Sequence, residues 1–310
     1  MSDFFTVSVL LATLAAGIRL ATPFLLAALG ETLGQRSGVL NLGVEGVMLL
    51  GAYGAYYATL RTESVLLGIV IGLAVGGLMG IVYGVVTLAL KAEQGISGIG
   101  IFIFGLGLSD LLFQKQVGTP TPIDGLGDLA IPVLGDLPWV GEVLFHQNVL
   151  VYVAFLLVPA MWYVINRTPF GMNVRAVGET PEAADSLGVS VNRTRYITIF
   201  AGNALAGLAG ASLALELGIF QQNLTNGHGF IAVALVYFGA WRPVGVMAGS
   251  MVFGLVSAMV LQWKTLGIVV GTTASIVGMF PAVLTILVLV LVSRRTGAPS
   301  ALTRPFERGH

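Results

Sequence analysis

The sequence contains no cysteine, which excludes disulfides, thiolate metal sites and cysteine nucleophiles. Charge is also scarce. Only 10% of the 310 residues are Asp, Glu, Lys or Arg, under half of the roughly 25% carried by an ordinary water-facing domain. Neither sign dominates, with 15 basic and 15 acidic residues, so the basic footprint of a nucleic-acid binder is missing. No glycine-rich phosphate loop ending in Lys-Ser or Lys-Thr occurs, so ATP chemistry has to be borrowed from elsewhere. His146, His228 and His310 lie far apart without metal-ligand spacing, and no cofactor motif appears. The pattern H-E-x-x-H, a serine elbow and suitably paired acids are missing too, which argues against an intramembrane enzyme. The opening Met1-Ser2-Asp3-Phe4-Phe5 lacks the positive region of a cleaved signal peptide, so the first helix is expected to be retained.

What is abundant is apolar surface and glycine. Apolar residues make up 56% of the chain, and the mean hydropathy is +0.91. The 42 glycines are roughly twice the usual share of about 7%. Helices in a bilayer associate through close backbone packing that small residues permit, so this composition predicts an all-α, polytopic membrane protein with tightly packed helices. Apolar blocks fall near 5–29, 39–60, 65–90, 96–113, 148–165, 197–218, 230–240, 246–263 and 272–293. A spanning helix needs about 20 apolar residues, which makes 230–240 a candidate re-entrant half-helix or a span extended into the glycine-rich turn before it. The count predicts about 8–10 membrane helices in a single domain over 1–310.

Lys and Arg in short loops mark the cytoplasmic side. The loop 166–196 carries Arg167, Arg175, Arg193 and Arg195, and the C-terminal tail carries Arg294, Arg295, Arg304 and Arg308. The loop 119–147 holds Asp124, Asp128, Asp136 and Glu142 and no basic residue. The first two are therefore expected to be cytoplasmic and the third external. The span counts between them agree, and extrapolation puts the N-terminus outside.

Arg19, Glu45, Asp110, Glu216 and Arg242 lie within or at the edges of apolar blocks. Each costs a few kcal/mol at the bilayer centre, so each is expected to face protein or water. Glu45 lies in Gly38-Val39-Leu40-Asn41-Leu42-Gly43-Val44-Glu45-Gly46. On a helix Asn41 and Glu45, four apart, share a face, and Gly43 and Gly46 flank it, leaving room for a ligand or another backbone. The stripe suits hydrogen bonding to an uncharged, hydroxylated solute. An interhelical hydrogen bond is the structural alternative.

Thr180-Pro181-Glu182-Ala183-Ala184-Asp185-Ser186-Leu187-Gly188 reads as a complete short helix. Thr180 supplies an N-cap, Pro181 the first helical position, Glu182 an acid for the dipole and Gly188 a left-handed cap. Two turns are marginal alone in water, so this helix docks on the membrane surface, on neighbouring loops or in a groove of a soluble partner. A loop of that length in an otherwise tight protein favours the partner. Asn226-Gly227-His228-Gly229-Phe230 and Phe238-Gly239-Ala240-Trp241-Arg242-Pro243-Val244-Gly245 flank the short block and predict a broken helix, tolerated where it is buried in protein or lines a cavity.

At these places the sequence closely resembles the permease subunits of ATP-binding-cassette importers for simple sugars and nucleosides, in the same broad family as the branched-chain amino acid permeases. The carrying residues are Ser37 to Gly46, the run Thr168-Pro169-Phe170-Gly171-Met172-Asn173-Val174-Arg175-Ala176-Val177-Gly178-Glu179, then Ala183-Ala184, Leu187-Gly188, the stretch from Gly227 to Gly245 and Phe280-Pro281. The Asn41-Leu42-Gly43-Val44-Glu45-Gly46 form is similar to the nucleoside branch, which works with binding proteins of the basic-membrane-protein kind. Two departures are local: His228 stands where arginine is expected, which removes a fixed charge there, and Ala240 precedes Trp241 where a larger or polar residue is common.

The resemblance implies a type II importer permease fold in a bacterial inner membrane. It implies a second permease subunit, forming a heterodimer, two cytoplasmic ATPase subunits and an extracytoplasmic substrate-binding protein. Thr180, Pro181, Glu182, Asp185, Leu187 and Gly188 then form the coupling helix held by an ATPase. Asn41, Glu45, Gly43 and Gly46 are the expected path-lining residues for a nucleoside or simple sugar. A branched-chain amino acid permease is the alternative within the family. An ion-gradient-driven secondary transporter is the alternative outside it, and that reading leaves the capped helix without a task.

Overall fold

The structure, a computed structural model, describes residues 7–132, 134–135, 137–292 and 297–307. Asp136, Arg294, Arg295, Arg308, His310 and the opening Met1 to Phe5 lie outside the described residues. The elements in chain order are α1 (Val7–Arg36), α2 (Val44–Thr62), α3 (Val65–Gly84) running into a π-helical turn (Val85–Ala89), and α4 (Gln94–Gln116). A small hairpin follows, with β1 (Asp128–Ala130) and β2 (His146–Asn148) on either side of a second π-helical turn (Gly141–Phe145). Then come α5 (Val149–Arg167), α6 (Pro169–Glu179), α7 (Pro181–Ser186), α8 (Val191–Leu217), α9 (His228–Phe238), α10 (Pro243–Thr265), α11 (Thr272–Gly278) and α12 (Phe280–Val292).

Short polar residues set several of these starts. Ser64, Glu93, Asn148 and Thr168 accept hydrogen bonds from free amides in the first turns of α3, α4, α5 and α6. Among the described residues six helices, α1, α3 with its π-turn, α4, α5, α8 and α10, are long and apolar enough to cross a membrane. The 19 residues of α2 also cover about 28 Å at 1.5 Å per residue. Its glycines, tyrosines and Glu45 lower its hydropathy, and it sits buried inside the bundle against α3, α4, α8 and α9.

Two polar ends orient the molecule. At the acidic end, Arg19 of α1 reaches the 119–147 loop and pairs with Asp128 at 3.3 Å. At the basic end, the close of α1 meets α6, where a Cβ on Gly178 would stand 2.1 Å from the Arg36 carbonyl oxygen. The C-terminal tail returns to this basic end, with Ala301 N–H donating to the Gly178 carbonyl and Thr303 N–H to that of Gly38. The 166–196 loop is mostly helical: it holds α6 as well as α7, and Arg193 and Arg195 already belong to the first turns of α8.

Glycine sets the helix separations. A Cβ on Gly30 of α1 would lie 2.4 Å from the Gly202 carbonyl oxygen of α8, and one on Gly207 would lie 2.3 Å from that of Gly72 in α3. In a bilayer such backbone contact replaces the hydrophobic drive as the source of helix association. Gly207→Leu is therefore expected to cost about 3 kcal/mol or more of folding stability and to remove folded protein from the membrane fraction. Gly207→Ala should show a milder loss, and wild-type accumulation of the leucine variant would contradict the packing.

Candidate membrane path and coupling face

Between α8 and α10 the chain crosses the bundle in two unlike halves. Gly218 ends α8 in the left-handed region at φ 64°, and residues 219–227 then run inward without regular structure. Phe220 anchors this stretch, packing against Tyr53, Tyr56 and Phe113 with ring centroids 5.4, 5.9 and 5.3 Å apart. Asn223, Asn226 and Gly227 all take positive φ. The helix resumes as α9, whose 11 residues cover about 16 Å, half of a bilayer core. It ends at the basic end through left-handed Ala240 and Trp241. The expected broken helix is thus present: an irregular half and a helical half together make one crossing.

The junction between the halves is held by Glu45. Its carboxylate, buried in the first turn of α2, accepts from the Thr225 hydroxyl at 2.7 Å, from Gly227 N–H at 2.6 Å and from Gly229 N–H at 2.6 Å. Free amides at a helix start, together with the positive end of its dipole, make such a place receptive to a carboxylate. A Cβ on Gly229 would fall 2.5 Å from the Glu45 backbone, so α9 can approach this closely only with glycine there. His228 stacks on Phe24 at 4.5 Å and 5°, and its Nδ1 meets the Thr225 carbonyl.

Asn41 does not share a helix face with Glu45, because α2 starts only at Val44. The Asn41 side chain accepts from Gly43 N–H at 2.8 Å, a local turn that competes with helix. Its amide donates to Asn203 of α8 at 2.8 Å, and its N–H donates to Glu31 at 3.0 Å. The space beside Gly43 and Gly46 is filled by α4: added Cβ atoms would stand 2.8 Å from the Gly98 carbonyl oxygen and 2.6 Å from that of Ile101. Asn41, Gly43, Glu45 and Gly46 are all buried, and the two polar side chains are engaged with the chain itself.

Exposed polar groups lie instead on the irregular half-crossing. Gln221, Gln222, Asn223 and Asn226 are exposed, and among the described residues their side chains make no hydrogen bond within the chain. Gln221 and Gln222 face Gln114 and Phe113 of α4 across an open cavity of about 400 Å³. Sequence reading singles out Asn226 beside Gly227 but passes over Gln221, Gln222 and Asn223, because Gln and Asn carry no charge to stand out in an apolar stretch. Their signal was the glycine-bounded, non-helical stretch in which they occur.

Arg19, isolated in the sequence, becomes a hub at the acidic end. It donates to the Gln147 side chain at 2.9 Å and stands 3.8 Å from Glu216. It lines a cavity of about 520 Å³ together with Asp128, Glu142, His146 and Glu216. Asp110, in the last two turns of α4, accepts from Gln114 at 3.1 Å. Arg242 forms the N-cap position of α10.

At the basic end, α7 forms as expected over Pro181–Ser186. Gly188 takes φ 85° and its N–H donates to the Asp185 carbonyl, closing the helix. Thr180 occupies the N-cap position, but its side chain makes no capping bond. Pro181 and Ala184 turn inward, where Ala184 packs with Val177, Val191 and Phe306 of the tail. Glu182, Ser186 and Gly188 are exposed, Asp185 is half-buried, and Leu187 projects with 86% exposure. Arg195 ties the platform beneath, donating to the carbonyls of Ser37 at 3.1 Å and Arg304 at 3.0 Å.

Residues 13–291 match the family described as branched-chain amino acid transport system / permease component. Over 94% of this chain and 96% of its own length, the "Putative glucose ABC transporter permease protein TsgC13" of Haloferax volcanii is 36% identical. The guanosine ABC transporter permease protein NupQ of Bacillus subtilis is 31% identical over 93% of this chain and 94% of its own. The nucleoside ABC transporter permease protein NupC of Lactococcus lactis subsp. cremoris is 31% identical over 91% and 92% respectively. No solved structure matches the chain.

Proposed function

The chain belongs to the family of branched-chain amino acid transport system permease components, and on that premise we propose that it is the membrane subunit of an ATP-driven importer for nucleosides or a related simple sugar. The observation that carries this reading is 31–36% identity, over more than nine-tenths of the chain, with permeases named for guanosine, nucleosides and glucose. Those names favour an uncharged, polyhydroxylated solute over a branched-chain amino acid.

The basic end faces the cytoplasm on this reading, which the arginines of 166–196 support, and the C-terminus lies there too. The cavity around Arg19 opens outward toward an extracytoplasmic binding protein. Non-helical backbone at membrane depth belongs beside water or protein. Residues 219–227 therefore border the solute path, with Gln221, Gln222, Asn223 and Asn226 presenting uncharged donors and acceptors. A second permease subunit closes the other side of the path. Asn41, Gly43, Glu45 and Gly46 serve the path by fixing the start of α9 and the seat of α4 beside it. On the cytoplasmic face, two ATPase subunits supply the hydrolysis, and one grips α7 through Leu187 and its exposed neighbours. Closure of the ATPases then moves α7, and the platform of α6, α8 and the tail passes that motion to the bundle.

The test is uptake into vesicles holding the permease pair, the ATPases and the binding protein. Labelled nucleoside or sugar is expected to accumulate with ATP. The double variant Gln221→Leu/Gln222→Leu should raise the KM about tenfold, the effect of losing one to two solute hydrogen bonds, with membrane accumulation unchanged. Uptake of leucine or valine in place of nucleosides and sugars would replace the substrate class, and an unchanged KM would remove these two glutamines from the path.

A further inference from the structure

The basic end holds an arginine cluster that neither the path nor α7 uses. Arg36 closes α1, Arg175 lies on α6 and Arg242 precedes α10, and all three line one cavity of about 390 Å³ with Asn166, Trp162 and Trp241. Arg175 and Arg242 stand near enough to repel Arg36, against which Glu179 is the offsetting carboxylate. Glu179 is itself engaged by Ser300, whose hydroxyl donates to it at 2.9 Å. Among the described residues, none of the three guanidinium groups has a carboxylate within ion-pair distance. Nε of Arg36 donates to the Trp241 carbonyl at 3.0 Å, while Nε of Arg175 is buried with no hydrogen-bond partner.

Convergent positive charge is costly unless an anion joins it, and a buried donor without a partner costs about 1–3 kcal/mol. The backbone adds to the same field. Helix α10 starts at the cavity wall with Pro243, so the positive end of its dipole and its first free amides belong to the site. Planar guanidinium forks match phosphate oxygens in pairs.

The rim says where the phosphate comes from. Trp162 and Val244, both cavity-lining, are exposed, as are Leu156 and Tyr163 on α5. The cavity thus opens where the outward apolar face of α5 ends, with tryptophan at the boundary, the arrangement of a headgroup-level interface. From this we infer that the cavity of Arg36, Arg175 and Arg242 binds a phosphate-bearing anion, and that the anion is the headgroup of an acidic phospholipid of the cytoplasmic leaflet. The leaflet rests on the orientation proposed above; the anion site does not.

Native mass spectrometry and thermal denaturation of the detergent-purified permease test this without solute or ATP. Three probes are compared: phosphatidylglycerol, phosphatidylcholine and inorganic phosphate. Phosphatidylglycerol is expected to give a retained adduct and a raised melting temperature, and phosphatidylcholine neither. Arg175→Gln and Arg242→Gln should each weaken binding roughly fivefold, from about 1 kcal/mol per basic residue at an anionic surface, while Arg175→Lys and Arg242→Lys keep most of it. Stabilisation by inorganic phosphate alone, lost in the same variants, supports the anion site and overturns the lipid as its source. No stabilisation by any probe, or phosphatidylglycerol adducts that persist in the double glutamine variant, overturns the site.

Sidedness is read separately. Because the chain has no cysteine, a single Asn166→Cys at the rim reports its exposure to an impermeant thiol reagent. Labelling from outside in intact cells would overturn the cytoplasmic leaflet while leaving the anion site in place.

Discussion

Replacing Glu45 with alanine is expected to abolish uptake and to destabilise the permease by about 3 kcal/mol or more, since each buried donor left unpaired costs about 1–3 kcal/mol. The substitution strips the acceptor from the Thr225 hydroxyl and from the amides of Gly227 and Gly229 at once. Three donors at the junction of the broken crossing would then be buried or half-buried without partners. Released there, the start of α9 shifts and carries Asn226 and the irregular half-crossing with it.

Glu45→Gln separates this account from direct contact between Glu45 and solute. The glutamine keeps one acceptor oxygen but turns an amide group toward a backbone N–H, so stability and transport should fall together to an intermediate level. A solute-contacting carboxylate would give a raised KM with an unshifted melting temperature.

The second large effect is expected at Leu187. With 86% of its surface exposed at the tip of α7, this leucine has almost no core role, and Leu187→Asp should change permease stability by no more than about 0.5 kcal/mol. An apolar anchor seated in a partner groove is worth about 2 kcal/mol or more. Burying a carboxylate there should therefore cut ATPase co-purification and ATP-driven uptake at least tenfold. Substitutions at Glu182 should act in the same direction, on coupling rather than on folding. If Leu187→Asp transports at the wild-type rate, α7 is not the gripped element.

The elements that could be read from sequence were those whose signals are local. Apolar blocks mark α1 to α5 and α8 to α10, while the block 272–293 divides into the shorter α11 and α12, and the positions of Arg and Asp sort the two ends. Pro181 and Gly188 delimit α7 from within nine residues of chain. The break around α9 also showed itself locally, because Gly227, Gly229, Gly239 and Pro243 interrupt an apolar run too short to cross alone.

What sequence could not supply was the other half of each long-range contact. Glu45 stood out as a buried acid, yet its partners Thr225, Gly227 and Gly229 lie 180, 182 and 184 residues away. Asn41 was read as helical because its spacing from Glu45 fits a helix. The turn it makes with Gly43 and its bond to Asn203 depend on α8, 162 residues on. The room suggested by Gly43 and Gly46 was real, and α4 fills it. The same limit hid the arginine cavity: Arg36, Arg175 and Arg242 lie far apart in the sequence and meet only when α1, α6 and α10 are packed together.

On the proposed function, this subunit moves solute only when ATPases act on it through α7. Counting accumulated labelled nucleoside or sugar in vesicles, with and without the ATPase subunits and ATP, tests it most directly. Uphill accumulation that requires both ATPase and ATP, and that collapses with Leu187→Asp, is the predicted result. Accumulation driven by a proton or sodium gradient in vesicles containing no ATPase would contradict it.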